Sequence, residues 1–170
     1  TRRIYATGYS SGGSMSGRLA CASASGELGA HEIAAIAPVS AAPLPQSCVP
    51  TDRPVCAALA ERPVPMRMIV SNNDTVVASI FKVDVAQVNE QFESLFRAWS
   101  MENGCTGEDR ADTGNRGWGV RTHTITSRCD TVADHRADTI LDVFDTGGPG
   151  QDGHIWPGQY FSPTGDLNAT

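Results

Sequence analysis

Apolar residues along this chain gather into short runs separated by glycine-rich and polar stretches, and the runs follow two periodicities. Residues 2–7, "RRIYAT", are β-prone and drive into Gly8-Tyr9-Ser10-Ser11-Gly12, which predicts a strand entering a tight turn. Over 11–24, "SGGSMSGRLACASA", Met15, Leu19 and Ala22 recur at helical spacing among small residues that permit close packing. The run 32–40, "EIAAIAPVS", is continuously apolar and ends at Pro38 and Ser40, as a strand buried on both faces does. Residues 64–74, "VPMRMIVSNND", predict a second buried strand that delivers Asp74 into a turn. Val85, Val88, Phe92, Leu95, Phe96 and Trp99 then step by threes and fours, which predicts an amphipathic helix over 84–101.

The rest of the pattern is less regular. The Pro-rich segment 41–63 reads as a loop closed by its own disulfide, and 104–118 reads as loop. Residues 119–126 alternate weakly, 138–145 ("DTILDVFD") predict a strand, and the glycine-rich "TGGPGQDGHIWPG" predicts a long loop. Strand–helix–strand–helix–strand order implies an α/β fold, a mainly parallel sheet with flanking helices, in a single domain over 1–170.

Composition narrows the function classes. A chain of 170 residues with 40% hydrophobic and 19% charged content can build one real core. A net charge of −6 without a Lys/Arg run argues against a nucleic-acid partner. No apolar stretch approaches the roughly 20 residues that span a bilayer, so no membrane partner is expected. The opening "TRRIYATG" reads as the inside of a domain and predicts a mature, trimmed or partial chain.

The five cysteines are Cys21, Cys48, Cys56, Cys105 and Cys129. None lies in a CxxC and histidine is sparse near them, so no metal site is expected. Two local pairings look natural: Cys48 with Cys56, and Cys105 with Cys129, while Cys21 is left over. Sparse lysine, frequent glycine and Thr/Asn-rich loops fit a secreted protein, where disulfides persist; buried free thiols are the alternative.

The chemistry centres on Gly8-Tyr9-Ser10-Ser11-Gly12, a G-x-S-x-G after a strand and opening a helix. A sharp turn there would force Ser10 into strained backbone angles and expose its hydroxyl, with a glycine on each side avoiding clashes. The Ser11 N–H at the helix start would donate to a developing oxyanion. A serine nucleophile needs a base. Of His31, His123, His135 and His154, the last sits in a glycine-rich loop after the last strong strand, with Trp156 beside it to wall a pocket. His31 reads as a loop or helix-end residue, and His123 and His135 as solvated. Asp74, directly after its strand, would orient the base. Asp145 is the rival acid, and Asp152 is too close in sequence to His154. The order Ser10, Asp74, His154 is that expected of α/β-hydrolases.

The blocks "IYATGYSSGGSMSGRLAC", "IAAIAPVS", "VPMRMIVSNNDTVV", "FRAWSMENGC" and "GHIWPG" resemble, in order, those of the secreted polyhydroxybutyrate depolymerase/feruloyl esterase family of α/β-hydrolases. The resemblance runs across nearly the whole chain; "GHIWPG" and a tryptophan six residues before a cysteine (Trp99, Cys105) are its more specific marks. It implies a serine esterase with Ser10 as nucleophile, Asp74 as acid and His154 as base, no cofactor, and Tyr9 and Trp156 in the substrate pocket. It also implies a Cys105–Cys129 disulfide between the helix end and the following strand. "SNNDTVV" departs from it, since relatives show a glycine-containing "HGxxD" block there.

Members of that family place several strands before the elbow, one loop of which supplies the second oxyanion donor, and continue beyond the "GDLNAT" end into a final helix. The chain is therefore expected to hold the C-terminal part of the fold, with the first half elsewhere or on a companion chain, to which Cys21 would bridge. The expected substrate is an ester: a polyester, a feruloylated or acetylated polysaccharide, or a small ester. The alternatives are a catalytically inactive hydrolase-fold module binding polymer or carbohydrate, and a serine peptidase of the same fold.

Overall fold

Four of the apolar runs lie side by side as parallel strands. In this computed structural model β1 (Ile4–Tyr9), β2 (Ile33–Val39), β3 (Met66–Ser71) and β6 (Thr139–Phe144) pair in parallel in that order. The antiparallel pair β5 (Arg121–Ser127) and β4 (Glu108–Asn115) extends the sheet beyond β6, giving the order β1-β2-β3-β6-β5-β4. Residues 3–43, 56–115, 121–129, 137–144, 153, 154 and 156 are described, those at 112–115, 121 and 122 by backbone alone. The expected α/β class, with a mostly parallel sheet and flanking helices, is what these residues build.

The helices are α1 (Ser11–Ala24), α2 (Thr75–Phe81) and α3 (Val88–Glu102). Helices α1 and α3 both touch a 3-10 turn at Ala57–Ala60, so they cover the same face of the sheet. On that face Met66, Met68 and Val70 of β3, Leu141 and Val143 of β6 and Ile125 of β5 meet Phe92, Phe96 and Trp99 of α3, all buried. The three- and four-residue steps read from the sequence are this contact surface. The helix itself begins at Val88, after a 3-10 turn at Val85–Gln87 that carries a capping box from Asp84 and Gln87.

Helix α1 forms over the span read for it, with its small residues inward. Its buried positions are Gly13, Ser16, Gly17, Ala20 and Ser23, while Met15 is 55% exposed and Leu19 36%. Small residues face inward because the helix lies almost in contact with the chain after β2. A Cβ on Gly17 would stand 2.8 Å from the Pro43 Cα, and one on Gly13 2.7 Å from the Ala41 Cβ.

Two elements run against the pattern. Residues 75–81, read as turn, form α2, whose N-cap is Asp74; segment 108–115, read as loop, forms β4. Strand β4 has no apolar side to reveal it. It sits at the sheet edge, held by its ladder to β5 and by ion pairs from Arg97 to Glu108 (3.1 Å) and from Arg110 to Glu93 (3.3 Å). A charged edge strand also discourages pairing with other chains.

A disulfide joins Cys105, just beyond α3, to Cys129, just beyond β5. Cys56 is a buried free thiol among the described residues; its expected partner Cys48 lies outside them. Cys21, expected to bridge elsewhere, is also free and lies beside Cys56 along a shared cleft. Among the described residues no helix is long and apolar enough to cross a membrane.

The entry into β3 is fixed by polar groups. Buried Asn103 accepts the Val64 N–H (3.1 Å) and donates to the Val64 carbonyl (2.9 Å), which also accepts the Trp99 indole N–H (3.1 Å). Asn103→Ala leaves the Val64 amide buried without its partner, so a loss of about 2–4 kcal/mol is expected from chemical denaturation. Val64 amide hydrogen exchange should accelerate along with it.

Candidate active site

Ser10 sits between β1 and α1 with φ 53° and ψ −122°, a left-handed conformation that costs a non-glycine residue about 1–3 kcal/mol. Neighbouring contacts hold it there. Its N–H donates to the Val39 carbonyl (2.9 Å), and its own carbonyl accepts from Gly13 (2.9 Å) and Ser14 (3.2 Å). The glycines that permit the turn are Gly8 and Gly13. A Cβ on Gly8 would collide with the Gly12 backbone, and one on Gly13 would lie 2.9 Å from the Gly8 carbonyl oxygen. Gly12 has open space around its Cβ position, so the expected need for glycine on each side holds at Gly8 and shifts from Gly12 to Gly13. Ser11 is the first residue of α1, which directs backbone N–H groups and the positive helix end toward the space above Ser10.

Asp74 leaves β3 through two residues and is fully buried. Its carboxylate is divided between two donors: Oδ1 accepts the Val77 N–H at 2.8 Å, capping α2, and Oδ2 lies 2.9 Å from His154 Nδ1. The capping bond fixes the carboxylate plane, and the second oxygen fixes the imidazole. His154 is held from two further directions. The Gly153 N–H donates to the Asn73 carbonyl (3.2 Å), tying the histidine segment to the acid segment. The Tyr9 hydroxyl donates to the His154 carbonyl (2.6 Å), its ring centroid 4.9 Å from the imidazole.

A cavity of about 710 Å³ opens above Ser10. Ser10, Ser11, Ser14, Met15 and Arg18 line it from the α1 side, Ser40, Ala41 and Ala42 from the chain after β2, and Val77, Ile80, Phe81 and Lys82 from α2; His154 completes it. The structure thus brings Ser10, Ser11 and His154 to one cavity, with Asp74 behind His154. Tyr9 and Trp156, expected as pocket walls, lie outside this lining: Trp156 stands edge-on to Tyr9 at 6.4 Å, and Tyr9 supports His154.

The α2 wall and residues 40–42 were missed in the sequence. Asp74 read as an N-cap before "TVVASIF" would have signalled the first. Nothing comparable marks Ser40, a buried residue at φ 46° whose N–H donates to the Ile69 carbonyl (2.9 Å).

Of the other histidines, His31 is exposed, and His123 Nε2 lies 3.1 Å from Arg110 Nη2. His135 and the rival acids Asp145 and Asp152 lie outside the described residues. Among the described residues no three His, Cys, Asp or Glu side chains converge to hold a metal ion. The arrangement places an imidazole, held through Nδ1 by a buried carboxylate, on the same cavity as the Ser10 side chain.

No protein-family profile matches the chain, and no curated protein or solved structure matches it.

Gly153 is the tightest point of the support. A Cβ there would lie 2.6 Å from the Asn73 carbonyl carbon and from Ser71 Oγ, and would overlap Asn73 Oδ1. Gly153→Ala is therefore expected to push His154 off Asp74. Proton NMR should show a far-downfield Nδ1–H resonance in the parent protein, and the substitution should abolish it while leaving methyl signals of the α3 core in place.

Proposed function

We propose that this chain is the catalytic part of a secreted serine esterase with an α/β-hydrolase fold, of the polyhydroxybutyrate depolymerase/feruloyl esterase type. The observation that carries the reading is the 2.9 Å contact of buried Asp74 Oδ2 with His154 Nδ1, on a histidine that shares its cavity with a strained serine. A histidine held through Nδ1 leaves Nε2 for the serine proton.

The reaction follows from these roles. His154 Nε2 accepts the Ser10 hydroxyl proton as Oγ bonds to the ester carbonyl carbon, and the carbonyl electrons move to its oxygen. The Ser11 N–H donates to that oxyanion. Collapse breaks the bond to the alcohol oxygen, which takes the proton from His154, and leaves an acyl-Ser10. Water, deprotonated by His154, attacks the acyl carbon, and His154 returns the proton to the departing Ser10 Oγ, releasing the carboxylic acid. Asp74 stays ionised and stabilises the imidazolium in both halves.

One oxyanion donor is less than such sites use, and a second is proposed to come from a companion segment beside β1. Strand β1 supports this: it is the outer strand of the parallel part of the sheet, with Ile4 38% and Tyr5 65% exposed. Export is supported by the Cys105–Cys129 disulfide.

The parent protein, together with any companion segment, should hydrolyse p-nitrophenyl butyrate and take a fluorophosphonate label on Ser10. Ser10→Ala should lose the label and at least about 10⁴-fold in kcat/KM. Asp74→Asn, which keeps a cap for α2, should lose about 10³–10⁴-fold in kcat with the fold retained. Full activity in Ser10→Ala would refute the reading. Faster cleavage of a peptide than of the ester would make the protein a peptidase. An unlabelled Ser10 with polymer binding intact would make it a binding module.

A further inference from the structure

Two cations in the cavity have no task in the reaction. Arg18 and Lys82 both line it, both are exposed, and neither pairs with a carboxylate among the described residues. Their placement follows one rule. Ser10 precedes α1 and Arg18 lies eight residues on; Asp74 caps α2 and Lys82, at φ 57°, ends it eight residues on. At about 1.5 Å of rise per residue, each cation stands roughly 12 Å along its helix from the catalytic end. Met15, Ala42, Val77, Ile80 and Phe81 supply apolar lining to the same cavity.

We propose that this cavity takes an ester whose acyl body is apolar and ends in a carboxylate, and that Arg18 and Lys82 read that carboxylate. The proposal deepens the esterase reading and rests on it for the position of the reacting carbonyl. An apolar chain displaces water from the lining, and a carboxylate at its end meets two cations that no carboxylate among the described residues neutralises. A neutral chain of the same length leaves both cations beside an apolar group.

Binding to the Ser10→Ala protein, which cannot turn the ligand over, tests this by calorimetry. The ligands are the monomethyl ester of decanedioic acid and its neutral dimethyl ester. The monoester is expected to bind about tenfold tighter at low salt, and Arg18→Gln/Lys82→Gln should reduce that ratio to near one. Raising ionic strength to 0.5 M should shrink the ratio as well, since exposed charges are screened (Debye length ~10 Å at 0.1 M). Equal binding of the two esters, binding of neither, or a preference that survives the double substitution would overturn the proposal. Failure of the esterase reading would show differently, as a binding preference intact in a parent protein that hydrolyses neither ester.

A second inference rests on the sulfur pair. Cys21 on α1 and Cys56 at the start of the Ala57–Ala60 turn line one cleft, and α1 packs against that turn. We infer that Cys21 and Cys56 form a second disulfide, leaving Cys48 as the odd thiol. The neighbouring Cys56 thiol, then burial, pushes the Cys21 thiol up, and Cys21 in turn pulls Cys56 down. The oxidant is a small disulfide such as oxidised glutathione. One cysteine thiolate displaces a glutathione thiolate, the other resolves the mixed disulfide, and two protons pass to the two glutathiones released. The folded chain, equilibrated with oxidised glutathione, is then denatured without reductant, alkylated and digested. A Cys21–Cys56 cross-linked peptide and alkylation confined to Cys48 are expected. A Cys48–Cys56 or Cys21–Cys48 peptide, or an alkylated Cys21, would overturn it.

Discussion

The site depends on how one buried carboxylate is shared. Asp74 gives one oxygen to the first turn of α2 and the other to His154, so cap and histidine hold each other in place. A carboxylate with no surface exposed must find donors for its lone pairs, because an isolated buried charge is too costly. Here the donors are the Val77 backbone N–H, fixed by the helix, and an imidazole on a segment far along the chain. The helix start therefore aims the acid, and the acid aims the base. The backbone bond from Gly153 to Asn73 makes the same junction independent of side chains.

The Ser10 end is organised by absence of bulk. Gly8 lies against Gly12, Gly13 against Ala41 and Gly8, and Gly17 against Pro43, so β1, α1 and the chain after β2 approach at backbone distance. This closeness keeps Ser10 at positive φ: its N–H is committed to Val39 and its carbonyl to the first turn of α1. Relaxing Ser10 would mean giving up these bonds or separating three packed segments. The strain is thus maintained by packing that also presses Ser40, Ala41 and Ala42 toward the cavity.

Much of this was legible in the sequence, and the failures have physical causes. The strands read as continuous apolar runs are central or parallel strands, where burial on both faces writes itself into composition. Helix α3 was legible because its large side chains meet the sheet. Helix α1 and its close packing were legible, but its orientation was not, because a helix packed at backbone distance buries glycine, serine and alanine and leaves Met15 and Leu19 outside. Strand β4 was illegible since its partners are a ladder and ion pairs, with no apolar alternation to betray it. The juxtaposition of Asp74 and His154 was readable from local contexts; the cavity was not, because α2 was hidden in a short segment and residues 40–42 have no chemical signature.

The orientation of α1 also explains why the cavity has the character it does. Turning the small face inward leaves Met15 and Arg18 outside the core, and they become part of the cavity lining. On the opposite wall α2 buries only Val77 and Ala78, leaving Ile80 exposed and Phe81 half-buried toward the same space. Two helices, one starting after Ser10 and one capped by Asp74, each ending at or passing a cation, enclose a gradient from polar to apolar to cationic. That gradient follows from helix geometry and from the backbone-close packing of α1. The constraint that strains Ser10 is thus the one that shapes what its cavity can recognise.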